Sequence, residues 1–79
     1  VHVQADDEVR FCSHRNPQTG KRACVLVNFA SIPKNAEVAF EGNEDGQVVI
    51  YQPFEERKSA TQPLTVTVGA ERLAIVVEG

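Results

Sequence analysis

Short apolar runs alternate with polar positions along this chain, and turn chemistry interrupts them every few residues, the pattern of an all-β fold. Val9-Arg10-Phe11-Cys12-Ser13-His14 has the period of two expected of a half-buried strand. Asn16-Pro17-Gln18-Thr19-Gly20 follows as a loop, since Pro fixes φ and Gly supplies positive φ. Ala23-Cys24-Val25-Leu26-Val27-Asn28-Phe29 is nearly continuous in apolar residues and reads as a central strand covered on both faces. After Ser31-Ile32-Pro33-Lys34-Asn35, alternation returns in Glu37–Glu41. Gly42-Asn43-Glu44-Asp45-Gly46 is the clearest turn, and Gln47–Tyr51 restarts a strand. Pro53 to Gln62 is polar and lacks a strand period, so it reads as the longest loop. Leu64–Val68 alternates with Thr, Gly69-Ala70-Glu71 turns, and Leu73–Val77 is the final strand.

The expected fold class is therefore all-β, a small antiparallel β-sandwich of six to seven strands with Val1–Val3 as the extra edge strand. No window combines helix-forming composition with an apolar stripe. The first hairpin can be taken to a register. A turn centred on Gln18 sets Val9 against Val27, Phe11 against Val25 and Ser13 against Ala23. The opposite face then pairs Arg10 with Leu26, Cys12 with Cys24 and His14 with Arg22.

Composition narrows the function classes. The 79 residues make one small domain, which buries only about 60% of its unfolded surface and leaves little room for a catalytic cleft. Twelve Val against three Leu and no Met favour sheet over packed helices. A net charge of −3 argues against neutralising phosphates, so no nucleic-acid partner is expected. No apolar run approaches the roughly 18 residues of a membrane span, and no membrane partner is expected. The chain begins at Val1 rather than Met, which implies a processed precursor or a single domain, 1–79, excised from a larger protein.

Candidate chemistry is sparse. Cys12 and Cys24 are the only cysteines, either two thiols packed as small apolar residues or a possible cross-strand pair joined as a disulfide. Cys12 and His14 would share a strand face with His2 as a further ligand, but the paired short spacings of structural zinc are missing, so no metal and no cofactor is expected. Ser13, Ser31 and Ser59 lack a nucleophile elbow. The acidic runs Asp6-Asp7-Glu8, Glu44-Asp45 and Glu55-Glu56 read as solvated loops. Arg10, Arg15, Lys21 and Arg22 give the first hairpin a basic character suited to a solvated tip or to ion pairing with a neighbouring acidic domain. With no Trp, the candidate sugar or partner contact is Tyr51 with Phe54 three residues on.

Val9-Arg10-Phe11, the polar turn, Val25-Leu26-Val27-Asn28-Phe29-Ala30-Ser31, Pro33, and the closing Leu64–Gly69 and Ala74–Val77 segments carry a resemblance. From Val9 onward the chain resembles the C-terminal β-sandwich domain that follows the catalytic barrel in glycoside hydrolases of the α-amylase superfamily and the barrel-type β-galactosidases. The resemblance implies a non-catalytic accessory domain whose partner is a catalytic domain of the same chain or a neighbouring subunit. The family's acid–base pair lies in the barrel, so no catalytic residue carries over. Asn28 would then bond to adjacent backbone at the strand end, with Phe29 packed under the following loop. Such a domain, isolated, should leave an apolar patch of roughly several hundred Å² uncovered. The alternative is an Ig-like or fibronectin-like module or a carbohydrate-binding interaction module.

Overall fold

Among the described residues, eight strands form: β1 (His2–Ala5), β2 (Val9–Arg15), β3 (Arg22–Asn28), β4 (Lys34–Ala39), β5 (Gln47–Tyr51), β6 (Lys58–Thr61), β7 (Leu64–Val68) and β8 (Leu73–Glu78). The computed structural model describes residues 1–43 and 46–79, so the Glu44-Asp45 centre of the expected Gly42–Gly46 turn lies outside the described residues. A three-stranded sheet in the order β1-β4-β7 packs on a five-stranded sheet in the order β2-β3-β8-β5-β6, and every pairing is antiparallel. This is the all-β antiparallel sandwich expected of the sequence, with β1 as the extra strand. β6 is a correction, because it lies inside the expected Pro53–Gln62 loop. It is a sheet edge bonded only to β5, and its Lys-Ser-Ala-Thr sequence buries little, so it leaves no apolar period to read.

The core follows from alternation. Ala36 and Val38 of β4, continued by Phe40, and Val66 and Val68 of β7 point inward against Cys24, Leu26, Val48, Ala74 and Val76 of the larger sheet. Phe40 is the largest side chain fully buried, a contribution of about 2–3 kcal/mol on its own.

Polar side chains hold the two sheets in register. Asn28 at the end of β3 is buried, and its Nδ2 donates to the carbonyls of Ile32 (2.9 Å), Val68 (3.1 Å) and Gly69 (3.2 Å) while Oδ1 accepts from the Ala30 N–H (2.9 Å). It therefore joins the end of β3 to the end of β7 in the opposite sheet. The expected backbone-bonding role of Asn28 is what the structure shows; Phe29, in contrast, is 66% exposed rather than packed under the following loop. Gln62 is the second buried amide, with Oε1 accepting from the Phe40 N–H at 2.6 Å and Nε2 donating to the Asn43 carbonyl.

The first hairpin adopts a register one residue away from the expected one. Asn16 Oδ1 accepts from the Gln18 N–H (2.9 Å), the Gly20 N–H donates to the Asn16 carbonyl (2.8 Å), and Gly20 takes φ 74°. The Asn16 N–H donates to the Lys21 carbonyl at 2.8 Å, so the loop has an even number of residues and its centre falls between Gln18 and Thr19. Val9 consequently pairs with Asn28, Phe11 with Leu26, Cys12 with Val25, Ser13 with Cys24 and His14 with Ala23.

Candidate functional site

That register puts Cys12 and Cys24 on opposite faces of the sheet, which corrects the expected cross-strand pair. Both thiols are free, Cys12 exposed and Cys24 fully buried. Burial pushes the Cys24 thiol up to about 11, with Cys12 as a minor electrostatic cause, so it is an inert core residue. His14 and Cys12 share the outer face of β2, whereas His2 stands on the other sheet opposite Ala39. Among the described residues, no group of three or more His, Cys, Asp or Glu side chains is placed to hold a metal ion.

The acidic runs have structural work. Asp6 Oδ1 accepts from the Glu8 N–H (3.0 Å), and Asp6 Oδ2 lies 3.3 Å from Lys34 Nζ. The backbone bond and then the lysine hold the Asp6 carboxyl below its ordinary range. Glu55 pairs with Lys58 at 3.3 Å, and the Glu44-Asp45 run lies outside the described residues.

Tyr51 and Phe54 stand in different surroundings. Tyr51 is 42% exposed at the end of β5 and pairs with Ile75. Phe54 is 95% exposed, has φ 63°, and carries the Arg72 guanidinium 5.4 Å from its ring centroid. A non-glycine residue in left-handed backbone costs about 1 kcal/mol or more, so this ring is displayed under strain.

The most distinctive surface is one that the strand-by-strand reading did not single out. Tracing the pairings across the outer side of the larger sheet gives three rows. Arg10 is followed by Val27 and Leu73; Cys12 by Val25, Ile75 and Tyr51; His14 by Ala23, Val77, Val49 and Ser59. The middle of this face is apolar from β3 through β5, and its only charged strand residue is Arg10. Val25, Val27, Val49, Ile75 and Val77 are half-buried, because each shields its neighbours in the rows and none of the described elements lies over them. A shallow recess of about 190 Å³ opens between Arg10, Cys12, Val25, Val27 and Phe29.

The smaller sheet behaves differently. Its outer rows run Gln4–Glu37–Thr65 and Asn35–Thr67, with Thr67 Oγ1 donating to Asn35 Oδ1 at 2.7 Å. That is the polar-out pattern of an antiparallel sheet facing water, and the larger sheet departs from it. The signal was present in the sequence: Ala23–Phe29 and Leu73–Val77 are continuous apolar runs, which belong to strands covered on both sides. The described residues supply cover on only one side.

The remaining recesses are polar or mixed. One of about 450 Å³ opens between the sheets beside Gln52, Glu55, Lys58 and Thr67, and one of about 370 Å³ lies by His2, Glu37 and Thr65. In neither does a hydroxyl hydrogen-bond a histidine or a carboxylate among the described residues. No family model, curated protein or solved structure matches this chain.

Proposed function

We propose that this chain is a non-catalytic accessory β-sandwich of a glycoside hydrolase, packing on a catalytic barrel or subunit interface and stabilising it. The observation that carries the docking role is the outer face of the larger sheet. Val25, Val27, Val49, Ile75 and Val77 form a contiguous apolar surface with none of the described elements over it. Monomeric soluble proteins rarely leave such a surface open unless something binds there. The assignment to a glycoside hydrolase rests on the resemblance in Val9–Phe11, Val25–Ser31 and the closing hairpin. Asn28 gives that resemblance a physical basis, since its four hydrogen bonds make it the joint between the two sheets.

The test is the full gene product. A catalytic barrel with paired carboxylates should be encoded with these residues. Deleting residues 1–79 should lower its Tm by several degrees while leaving activity per folded molecule unchanged. A gene product with no second domain, or a barrel indifferent to the deletion, would overturn the reading.

A second reading, a carbohydrate-binding or Ig-like module, draws on Phe54 alone, the most exposed aromatic and one held in left-handed backbone. Oligosaccharide titration followed by NMR shifts around Tyr51 and Phe54 separates the two. Shifts confined to that loop favour the sugar module, and silence there removes it.

A further inference from the structure

We infer that the surface covering the outer face is that of a partner domain, apolar at its centre and acidic along the side that meets β2. This rests on the docking reading above and adds the chemistry of the partner. The chain has 11 acidic against 8 basic residues, yet the three outer rows hold one arginine, one histidine and no carboxylate. Both of those side chains stand on the edge strand β2, so the charge lies on one flank of the apolar centre. Lys21 is exposed at the hairpin tip beside this flank, whereas Arg15, paired with Arg22, alternates to the opposite face of β2.

These cations differ from the other arginine of the hairpin. Arg22 is taken up by Glu78 at 2.8 Å and by the Glu41 carbonyl at 2.6 Å. None of the ion pairs among the described residues involves Arg10, Arg15 or Lys21. Arg10 also borders the recess of about 190 Å³, which has room for one partner side chain beside it.

The same distribution disfavours a second copy as the occupant. A two-fold interface sets a patch against itself, so this face would bring two Arg10 side chains and no strand carboxylate into one interface. Burying cations without partners costs several kcal/mol each, whereas a surface carrying Asp or Glu opposite Arg10 turns that cost into steering and register.

The experiment titrates the isotope-labelled 79-residue chain with the remainder of its own gene product, produced separately, at low and high salt. The expected result is resonance shifts at Val25, Val27, Ile75 and Val77, and an affinity that falls as salt rises. Arg10→Glu should slow association roughly tenfold or more at low salt, and Arg10→Lys should stay within about threefold of the parent. Binding that ignores both salt and Arg10→Glu overturns the acidic-partner inference and leaves the docking reading standing. Failure of the remainder to bind overturns both. Sedimentation of the chain alone as a dimer that Val25→Asp dissociates identifies a second copy instead, and also overturns the inference.

Discussion

Arg22 grips Glu78 at three points across the β3–β8 pair: its backbone N–H and Nε both donate to Oε1, at 2.7 and 2.8 Å, and Nη2 donates to Oε2 at 3.1 Å. The same guanidinium donates to the Glu41 carbonyl and stacks 5.4 Å from the Phe40 ring centroid, while Asn43 Nδ2 donates to Glu78 Oε2 at 3.0 Å. Two adjacent strands of the larger sheet are thereby latched to the segment that leaves the smaller one. The hairpin's basic character is in part this latch, and its other cations, Arg10, Arg15 and Lys21, form no ion pair among the described residues.

Stability should fall on acidification through this pair. The Arg22 side chain draws the Glu78 carboxyl from 4.5 down to about 2, against the opposing effect of burial. Between those pH values the unfolded chain holds a proton on Glu78 that the folded chain lacks, so lowering the pH favours unfolding. The contribution is complete above about pH 4.5 and gone below about pH 2, and is at most about 3 kcal/mol before solvent screening. Glu78→Gln should cost about 2 kcal/mol at pH 6 and very little at pH 2, read from urea midpoints. Equal effects at both pH values would show that the charge is irrelevant.

Asn28 should be the costliest polar side chain to remove. Asn28→Ala leaves the Ala30 N–H and the carbonyls of Ile32, Val68 and Gly69 without their amide partner, at about 2–4 kcal/mol. Asn28→Asp keeps the volume but has no donor and faces carbonyl oxygens with a charge, so it should cost more than alanine. Urea denaturation of the two variants gives the order, and the reverse order would mean that packing rather than donation matters here.

Particular residues show how far the sequence carries. Leu64–Val68 alternates in apolar character as it alternates in burial, so β7 was legible, and so was β5; β4 was legible only in part, since it begins at Lys34, inside the expected connection, and ends at Ala39. The hairpin register was not, because one residue decides whether a loop closes on an odd or an even count, and Gly20 in left-handed backbone decided it. β6 was silent, since an edge strand of Lys, Ser, Ala and Thr needs no apolar face. The outer apolar face was half legible: Val25 and Ile75 lie in runs that read as strands covered on both sides, whereas the described residues cover β3 and β8 on one side only.

Thiol chemistry tests the register directly. With Ser13 against Cys24 and Cys12 against Val25, one cysteine faces solvent and the other the core. A thiol-specific reagent at neutral pH should label Cys12 within minutes and leave Cys24 untouched until denaturant unfolds the chain, its thiol being buried and shifted up to about 11. Two rapidly labelled thiols would contradict this pairing. None at all would mean that the cysteines are joined, which only the register one residue away permits.

Neighbouring positions on β3 separate the closed face from the open one. Leu26 is fully buried against the core, and Val25, beside it in sequence, points to the uncovered outer face. Both lie in the same continuous apolar run, so composition alone treats them alike. Leu26→Asp forces a carboxylate into the core and should abolish folding, a loss of more than about 4 kcal/mol. Val25→Asp, in the isolated chain, should cost no more than about 1 kcal/mol. It should also reduce binding of an apolar fluorescent dye, because it breaks the patch at its centre. Urea unfolding and dye fluorescence of the two variants read both effects. If Val25→Asp destabilises the isolated chain as severely as Leu26→Asp, the outer face is not open, and the docking role loses its surface.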